Sequence, residues 1–158
     1  MALCNPEDLA RLAPRDTRLM GLDLGEKTIG LALSDPGRRL ATPLETLRRG
    51  RFADDATKLA ALVDEHRVGG LVLGLPLNMD GSAGPRVQAT RAFARNLLAR
   101  IDLPLALWDE RLSTAAVERE LIAANVTRAR RAKVIDQHAA VFILQGALDR
   151  LARGVMAH

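Results

Sequence analysis

Three short apolar runs constrain the fold of this chain more than any other feature of its sequence. Leu19 to Leu24, Gly70 to Leu75 and Leu103 to Trp108 each have the length of a strand rather than of a helix. The run from Gly70 to Leu75 is apolar on both faces, as expected of a parallel strand that helices cover on each side. Segments with a helical period separate and follow these runs. The pattern therefore predicts an α/β fold with a mixed sheet flanked by helices.

Two more strands extend the sheet beyond the first run. Thr28 to Leu33 follows a tight turn at residues 25–27, and Arg38 to Leu47 comes after it. Pro43 cannot donate a hydrogen bond to a central ladder, so we expect the second of these strands at an edge of a five-stranded sheet. The predicted helices are a short N-terminal one from Asn5 to about Leu12, then Phe52 to His66, Arg86 to Ile101, Ser113 to about Asn125, and Lys133 to Arg153.

Length and composition favour one globular domain. The chain has 158 residues without an internal repeat or a linker, so we predict a single domain over residues 1–158, with residues 1–17 as an N-terminal extension. No apolar run approaches the roughly 18 residues of a membrane helix, and the N-terminus lacks a signal-peptide pattern. Cys4 is the only cysteine, which argues against a disulfide framework and a cysteine zinc site. These features predict a cytoplasmic protein that does not bind a membrane.

The charge of the chain permits a polyanionic partner without requiring one. The net charge is +4, and arginine supplies 20 of the 23 basic residues. Guanidinium groups bind phosphate in bidentate fashion, but arginine is also abundant wherever a genome is rich in G and C. Aromatic residues make up only 3% of the chain, so recognition of a nucleic acid would use its backbone and shape more than base stacking.

Acidic residues stand at two positions where strands end. Asp23 lies between apolar neighbours in the first strand, where a carboxylate is costly unless it is paired or binds a metal. Turn amides could satisfy it equally well. Asp109 and Glu110 follow the last apolar run, at the end of a strand where open α/β sheets bind ligands. Only one of the two can share a face with Asp23, and strand parity alone does not decide which. Either could also serve as an acid at a helix start.

Asp136 is predicted at the start of the last helix. Ala139, Ala140 and Ile143 follow it at helical spacing, so Asp136 borders the side of the helix that faces the core. A favourable interaction with the helix dipole would explain it as well. His138 could be a metal ligand or a general base, although such a residue more often has no catalytic role. Carboxylates on rigid elements suit Mg²⁺ or Mn²⁺, which position water and stabilise the leaving oxygen in phosphodiester hydrolysis.

Five segments in a fixed order resemble those of a known family. They are Gly21 to Gly25, Ile29 to Asp35, Gly74 to Gly81, Asp109 to Thr114 and Ile135 to Ala140. Their order and spacing are similar to those of the YqgF family, whose members are described as Holliday-junction resolvases or as nucleases of pre-16S ribosomal RNA. The resemblance runs from about Met20 to Leu148. It departs from the family where Thr28 follows Lys27, since family members often have a basic pair before Ile-Gly.

The resemblance implies an RNase H-like fold, related to RuvC resolvases, and a metal-dependent endonuclease. It implies that Asp23, Glu110 and Asp136 form the acidic metal-binding triad, and it selects Glu110 over Asp109. The substrate would be structured RNA, specifically the 5′ end of pre-16S ribosomal RNA, or branched DNA, and the protein a monomer or a homodimer. We favour the RNA because a resolvase needs a committed dimer, whereas we expect one core to use the apolar positions of each predicted helix.

Basic residues are concentrated next to the predicted site. The segment from Leu121 to Ile135 contains no acid, and we expect it to be a positive loop that holds a phosphate backbone beside Asp136. A solvated loop without a ligand would have the same composition. The residues expected to contact nucleic acid are Lys27, Arg111, Arg128, Arg130, Arg131 and Lys133.

Two other functions are compatible with parts of the sequence. The Asp-x-Gly pattern at Asp23 also opens the phosphate loop of actin-like and sugar-kinase ATPases, but that fold needs two such lobes and this chain has room for one. A protein that binds nucleic acid without cleaving it is the other alternative. All three acids of the triad are present, which argues against a site that has lost its activity.

Overall fold

Six strands and six helices lie within residues 3–156, the part of the chain that the structure, a computed structural model, describes. The strands are β1 (Leu3–Cys4), β2 (Arg18–Leu24), β3 (Thr28–Ser34), β4 (Ala41–Arg48), β5 (Val68–Leu75) and β6 (Leu105–Asp109). The helices are α1 (Pro6–Leu12), α2 (Phe52–His66), α3 (Pro85–Leu98), α4 (Glu110–Ala123), α5 (Arg128–Gln137) and α6 (Ala139–Met156).

The strands form one mixed sheet in the order β1-β6-β5-β2-β3-β4. The three apolar runs of the sequence become its parallel centre, and β3 and β4 add to it as antiparallel neighbours. The predicted fold class is therefore confirmed, and β4 lies at an edge as Pro43 required. A sixth strand, β1, was not predicted. It has only two residues, too few for a period-2 pattern, and it pairs in parallel with Leu105 and Ala106 of β6.

Helices cover both faces of the sheet. On one face, α2 and α3 bury side chains such as Leu59 and Leu97 against the strands. On the other face, α1 and α6 bury Leu9, Leu144 and Leu148 against the strands. Full burial of one such leucine contributes about 1.5–3 kcal/mol. We call the side covered by α6 the α6 face, because the candidate site lies at its end.

Close packing of α6 depends on glycine in the strand beneath it. A Cβ atom on Gly21 of β2 would lie 2.7 Å from the Cβ of Leu144 and 2.9 Å from the backbone oxygen of Ala140. Ala140 is itself buried, and its small side chain lets this helix approach the sheet. The N-terminal end of α6 is thereby held directly against the end of β2.

The predicted boundaries of two helices were wrong. The helix expected after Ser113 begins at Glu110, because the carboxylate of Asp109 caps it by accepting a hydrogen bond from the backbone N–H of Arg111 at 3.0 Å. Ser113 does not act as a cap, and its hydroxyl accepts a hydrogen bond from Nε1 of Trp108 at 2.6 Å.

The single last helix predicted from Lys133 to Arg153 is two helices. α5 ends at Gln137, and His138 separates it from α6. The segment expected to be a positive loop is thus largely helical, with Thr127 as the N-cap of α5. Within the described residues α5 buries none of its side chains, so it has no apolar stripe from which periodicity could have identified it.

The apolar positions of α4 are not all used by the core. Leu112 is 56% exposed and Ile122 is 53% exposed. The expectation that one core consumes the apolar residues of every helix was therefore wrong for α4. Between residues 3 and 156, no helix is long and apolar enough to cross a bilayer.

Candidate active site

Asp23 occupies the end of β2, next to the centre of the sheet. It pairs with Gly30 of β3, and it directly follows Leu22, which pairs with Leu73 of β5. Because side chains alternate along a strand, Asp23 shares the α6 face with Gly21. Its carboxyl group is half-buried beneath the first turn of α6.

The register of β5 and β6 decides between Asp109 and Glu110. Gly74 pairs with Trp108, and Trp108 belongs to the core beneath α6. Glu110 lies two residues beyond Trp108 and returns to the same face, whereas Asp109 lies between them on the opposite side. The Oε1 atom of Glu110 would be only 2.5 Å from a Cβ atom on Gly74, so this carboxylate packs directly over the glycine. The structure thus places Glu110 with Asp23.

The carboxylate of Asp109 forms an ion pair with Arg111. It accepts hydrogen bonds from Nε and the terminal nitrogen of Arg111, the shortest at 2.7 Å, and these bonds hold the pKa of Asp109 below its usual value. Arg111 also donates to the backbone oxygen of Met79 at 3.3 Å. Arg111, which the sequence predicts to contact nucleic acid, thus links the loop after β5 to the start of α4.

Asp23 and Glu110 oppose each other electrostatically. Burial is the main cause that raises the pKa of Glu110 to about 7, and the charge of Asp23 raises it further. Burial also raises the pKa of Asp23, and the charge of Asp136 adds to this effect. Two half-buried carboxylates that repel each other cost folding free energy unless a cation lies between them or they are protonated.

Asp136 approaches this pair from α5. It is exposed near the end of that helix, and it lines one cavity of about 270 Å³ together with Asp23 and Glu110. We call this the acid cavity. Among residues 3–156, no three His, Cys, Asp or Glu side chains are grouped closely enough to hold a metal ion. Asp23 and Glu110 lie together, and Asp136 borders the same cavity from α5 without forming a close group of three with them.

The donor set fits a hard divalent cation. Mg²⁺ and Mn²⁺ favour carboxylate oxygens, and a cation next to Asp23 and Glu110 would favour the ionised form of both carboxyl groups, whose pKa values burial raises. No cysteine lines the acid cavity. His138 lies between α5 and α6 with its ring 6.3 Å from the ring of Phe142, and it is exposed.

Arg86 is a residue of this site that the sequence analysis missed. It follows Pro85 at the start of α3 and is exposed, and its positive charge lowers the pKa of both Asp23 and Glu110. One sequence signal could have revealed it. Acids, not bases, are favoured in the first turn of a helix, so a base at this position suggests a charged partner outside the helix.

The other predicted nucleic-acid contacts divide into exposed and internal residues. Lys27 is exposed in the turn after β2, and Arg128, Arg130 and Lys133 are exposed on α5. Arg131 is different. Only 17% of its side chain is exposed, and it donates to the backbone oxygen of Val126 at 2.8 Å and lies 3.8 Å from Glu118 of α4. Arg131 therefore joins α4 to α5.

Gly74→Ala is expected to reduce catalysis much more than stability. The new Cβ would lie 2.5 Å from Oε1 of Glu110 and 2.5 Å from Cδ1 of Ile143, both of which are flexible ends that can move away. Displacing Glu110 by about 1 Å should lower the cleavage rate about 100-fold. The measurements are cleavage rate and thermal midpoint. Gly21→Ala is the comparison, because its clash involves the backbone of Ala140 and should cost about 1–3 kcal/mol of stability. Wild-type cleavage by Gly74→Ala would contradict this geometry.

Comparisons with known proteins agree with this arrangement. Residues 17–150 match the model of a family described as "RuvX: Holliday junction resolvase". A protein of Bradyrhizobium sp. strain BTAi1 is 68% identical over 139 residues, covering 88% of this chain and 86% of that protein. A protein of Rhodopseudomonas palustris strain TIE-1 is 70% identical over 134 residues, covering 85% and 84%. Both carry the name "Putative pre-16S rRNA nuclease".

Solved structures support the fold. Thermus thermophilus RuvC matches with a TM-score of 0.54 at 10% identity, covering 86% of this chain and 97% of that one. The same protein in complex with a Holliday junction substrate matches with a TM-score of 0.53 at 11% identity, covering 85% and 96%. At this level of identity the likeness establishes the RNase H-like fold that RuvC shares and nothing about substrate.

Proposed function

The chain belongs to the RuvX family, and we propose that it is a metal-dependent endonuclease whose acid cavity hydrolyses phosphodiester bonds of nucleic acid. Membership confirms the resemblance to YqgF seen in the sequence, and relatives 68–70% identical carry a nuclease name. One observation of the structure carries the proposal. Asp23 at the end of β2 and Glu110 directly after β6 are half-buried on either side of β5 and repel each other, and Asp136 lines the same cavity.

The acids of the cavity would hold the cation. Asp23 and Glu110 are fixed by β2 and by the end of β6, and Asp136 would complete the set from α5. A bound Mg²⁺ or Mn²⁺ would stabilise the charge that develops on the cleaved phosphate and make water a better nucleophile. Arg86 sits close enough to lower the pKa of both inner acids, and the same guanidinium is placed to contact a phosphate that enters.

The bases proposed to bind the substrate and the third acid, Asp136, lie on one helix. α5 carries Asp136 near its end and the exposed bases Arg128, Arg130 and Lys133 before it. A nucleic-acid backbone held by these bases would lie along the helix that presents Asp136. We therefore propose that binding of the substrate and inward movement of Asp136 occur together.

The natural substrate we propose is the 5′ end of pre-16S ribosomal RNA, processed in the cytoplasm. The names of the relatives support it. A Holliday junction is the second candidate, supported by the family description and by one observation: Leu112 and Ile122 leave apolar surface exposed on α4, which a two-fold dimer could cover. Depleting the protein in its host and mapping ribosomal RNA ends separates the two. Normal 16S ends together with accumulated four-way junctions would establish the resolvase function instead.

Arg128→Ala/Arg130→Ala is expected to weaken nucleic-acid binding equally across sequences. Each lost phosphate contact should reduce the slope of log affinity against log salt by about one unit. The measurement is binding of a labelled RNA at several salt concentrations. Lys58→Ala/Arg95→Ala removes the same charge from exposed positions of α2 and α3, on the opposite side of the sheet, and should leave the slope unchanged. If Arg128→Ala/Arg130→Ala has the same salt slope as Lys58→Ala/Arg95→Ala, the bases of α5 do not contact phosphate and α5 is only a solvated helix.

A further inference from the structure

A second cavity adjoins the acid cavity and shares Asp23, Asp136 and Ala139 with it. Its volume is about 360 Å³, and it lies between edge strand β4 and the turn from α5 to α6. Asp23 pairs with Gly30 and Gly30 pairs with Thr46, so these three residues form one row across the α6 face. Two strand spacings place Thr46 about 10 Å from Asp23. We call this space the Gly30 cavity.

Gly30 has no side chain to fill the middle of this row, although the packing around it would accept a Cβ atom. A Cβ atom there would lie 3.6 Å from the Cβ of Asp23 and 3.7 Å from the Cβ of Ala140, which are ordinary contact distances. Glycine weakens a strand interior and often marks a place where a ligand approaches closely. The pairing of β3 with β4 also shifts register between Leu31 and Ala32, and bulges of this kind are common beside active sites.

The charge of the lining disfavours a phosphate as the occupant, because the cation that would compensate a phosphate is proposed for the acid cavity. Three acids, Asp23, Asp136 and Glu45, are among the residues that line the cavity. No lysine or arginine among residues 3–156 lines it. A phosphate placed here would meet like charge without compensation. The occupant is therefore an uncharged group that lies next to whatever the acid cavity holds.

The lining offers hydrogen-bonding groups on a partly apolar wall. Thr28, Thr46, Gln137 and His138 contribute hydroxyl, amide and imidazole groups, and in the described part of the chain none of these side chains has a hydrogen-bond partner. Val141 adds hydrocarbon to the same lining. Small-molecule pockets have this combination, and 360 Å³ is at the small end of their range.

We propose that the Gly30 cavity binds the sugar and base of one unpaired nucleotide next to the phosphate that is cleaved. The proposal rests on the proposed function, because the acid cavity has to hold that phosphate. It specifies the substrate: the nucleotide that flanks the cut enters the cavity unpaired. Flexible single-stranded RNA satisfies this requirement more readily than a fully paired arm.

A bulky side chain at Thr46 tests the cavity with little risk to the fold. Thr46 is exposed on an edge strand, and phenylalanine is favoured in strands, so Thr46→Phe should fold while filling the cavity. Thr42→Phe places the same side chain at another exposed position of β4, outside the cavity, and serves as the matched control. Circular dichroism and the thermal midpoint verify that both variants are folded.

Two readouts with single-stranded RNA test the proposal. The first is the cleavage rate with Mg²⁺ of RNAs in which one nucleotide near the cut lacks its base. The second is photocrosslinking in EDTA of RNA that carries 4-thiouridine, with mapping of the crosslinked residues, which needs no cleavage. For wild type we expect about a tenfold loss of rate or more at one nucleotide flanking the cut, and crosslinks at residues 43–46 or 137–141. Thr46→Phe should lose both effects, and Thr42→Phe should keep both.

The outcomes separate the cavity from the nuclease. Equal cleavage of every base-lacking RNA, or crosslinks only outside the Gly30 cavity, overturns the subsite and leaves the nuclease proposal intact. Cavity crosslinks in a protein that cleaves none of the RNAs support a nucleotide-binding cavity, but they overturn the nuclease and with it the position of that nucleotide beside a cleaved phosphate. Crosslinks at the cavity that persist unchanged in Thr46→Phe also overturn the subsite, because the cavity is filled in that variant.

Discussion

Asp23→Asn is expected to abolish phosphodiester cleavage while the protein keeps its fold. The substitution preserves shape but removes the negative charge at the centre of the acid cavity, where Asp23 borders Glu110 and faces Asp136. Loss of a partner outside a metal's ligand set costs roughly 10–100-fold in affinity or activity, so loss of a ligand should cost more. Burial already raises the pKa of Asp23, and a neutral amide removes that penalty. Its thermal midpoint in EDTA should equal or exceed that of wild type.

The measurement is the cleavage rate at saturating Mg²⁺ alongside the thermal midpoint. Asp54→Asn makes the same chemical change at an exposed position in the first turn of α2, on the opposite side of the sheet, and should keep full activity. Wild-type cleavage by Asp23→Asn would show that Asp23 has no part in the chemistry.

Glu110→Gln is expected to abolish cleavage and to stabilise the metal-free protein at high pH. The pKa of Glu110 is raised from 4.5 to about 7, so in the folded state its ionisation is unfavourable. A raised carboxyl pKa means that stability falls as the pH rises from about 4.5 to about 7, and the loss is complete above that window. Glutamine cannot ionise and escapes this loss.

Thermal midpoints in EDTA at pH 5 and pH 8 test this expectation. Glu110→Gln should match wild type near pH 5 and exceed it at pH 8. Adding Mg²⁺ at pH 8 should stabilise wild type more than the variant, because a cation that binds only the folded state shifts its stability. A variant less stable than wild type at both pH values would mean that Glu110 makes a structural contact that glutamine cannot replace.

The sequence identified Asp23 because burial of an acid between two leucines is costly by itself. It could not choose between Asp109 and Glu110, since that choice depends on which residues of β5 and β6 are opposite each other. The pairing of Gly74 with Trp108 is part of the tertiary structure and cannot be read from local sequence. Only the family resemblance selected Glu110 over Asp109. Local sequence thus identifies a carboxylate whose burial is costly, and strand register determines which residues lie next to it.

The arrangement around Asp136 was beyond the sequence for a different reason. α5 buries no side chain in the described structure, so apolar periodicity, the main signal for a helix, is absent. Asp136 consequently lies at the end of one helix and not at the start of the next. Arg86 was missed because its partners are 63 and 24 residues away in sequence, at the ends of strands whose order in the sheet is not revealed by periodicity.

The most direct test of the account is cleavage of a precursor 16S ribosomal RNA fragment by the purified protein, with ends mapped to the nucleotide and a four-way DNA junction assayed in parallel. We expect cuts at discrete positions near the 5′ end that require Mg²⁺ or Mn²⁺, stop in EDTA and are absent with Asp23→Asn. Cleavage of neither substrate, or cleavage that continues in EDTA, would contradict the claim that the acid cavity is a metal-dependent nuclease site.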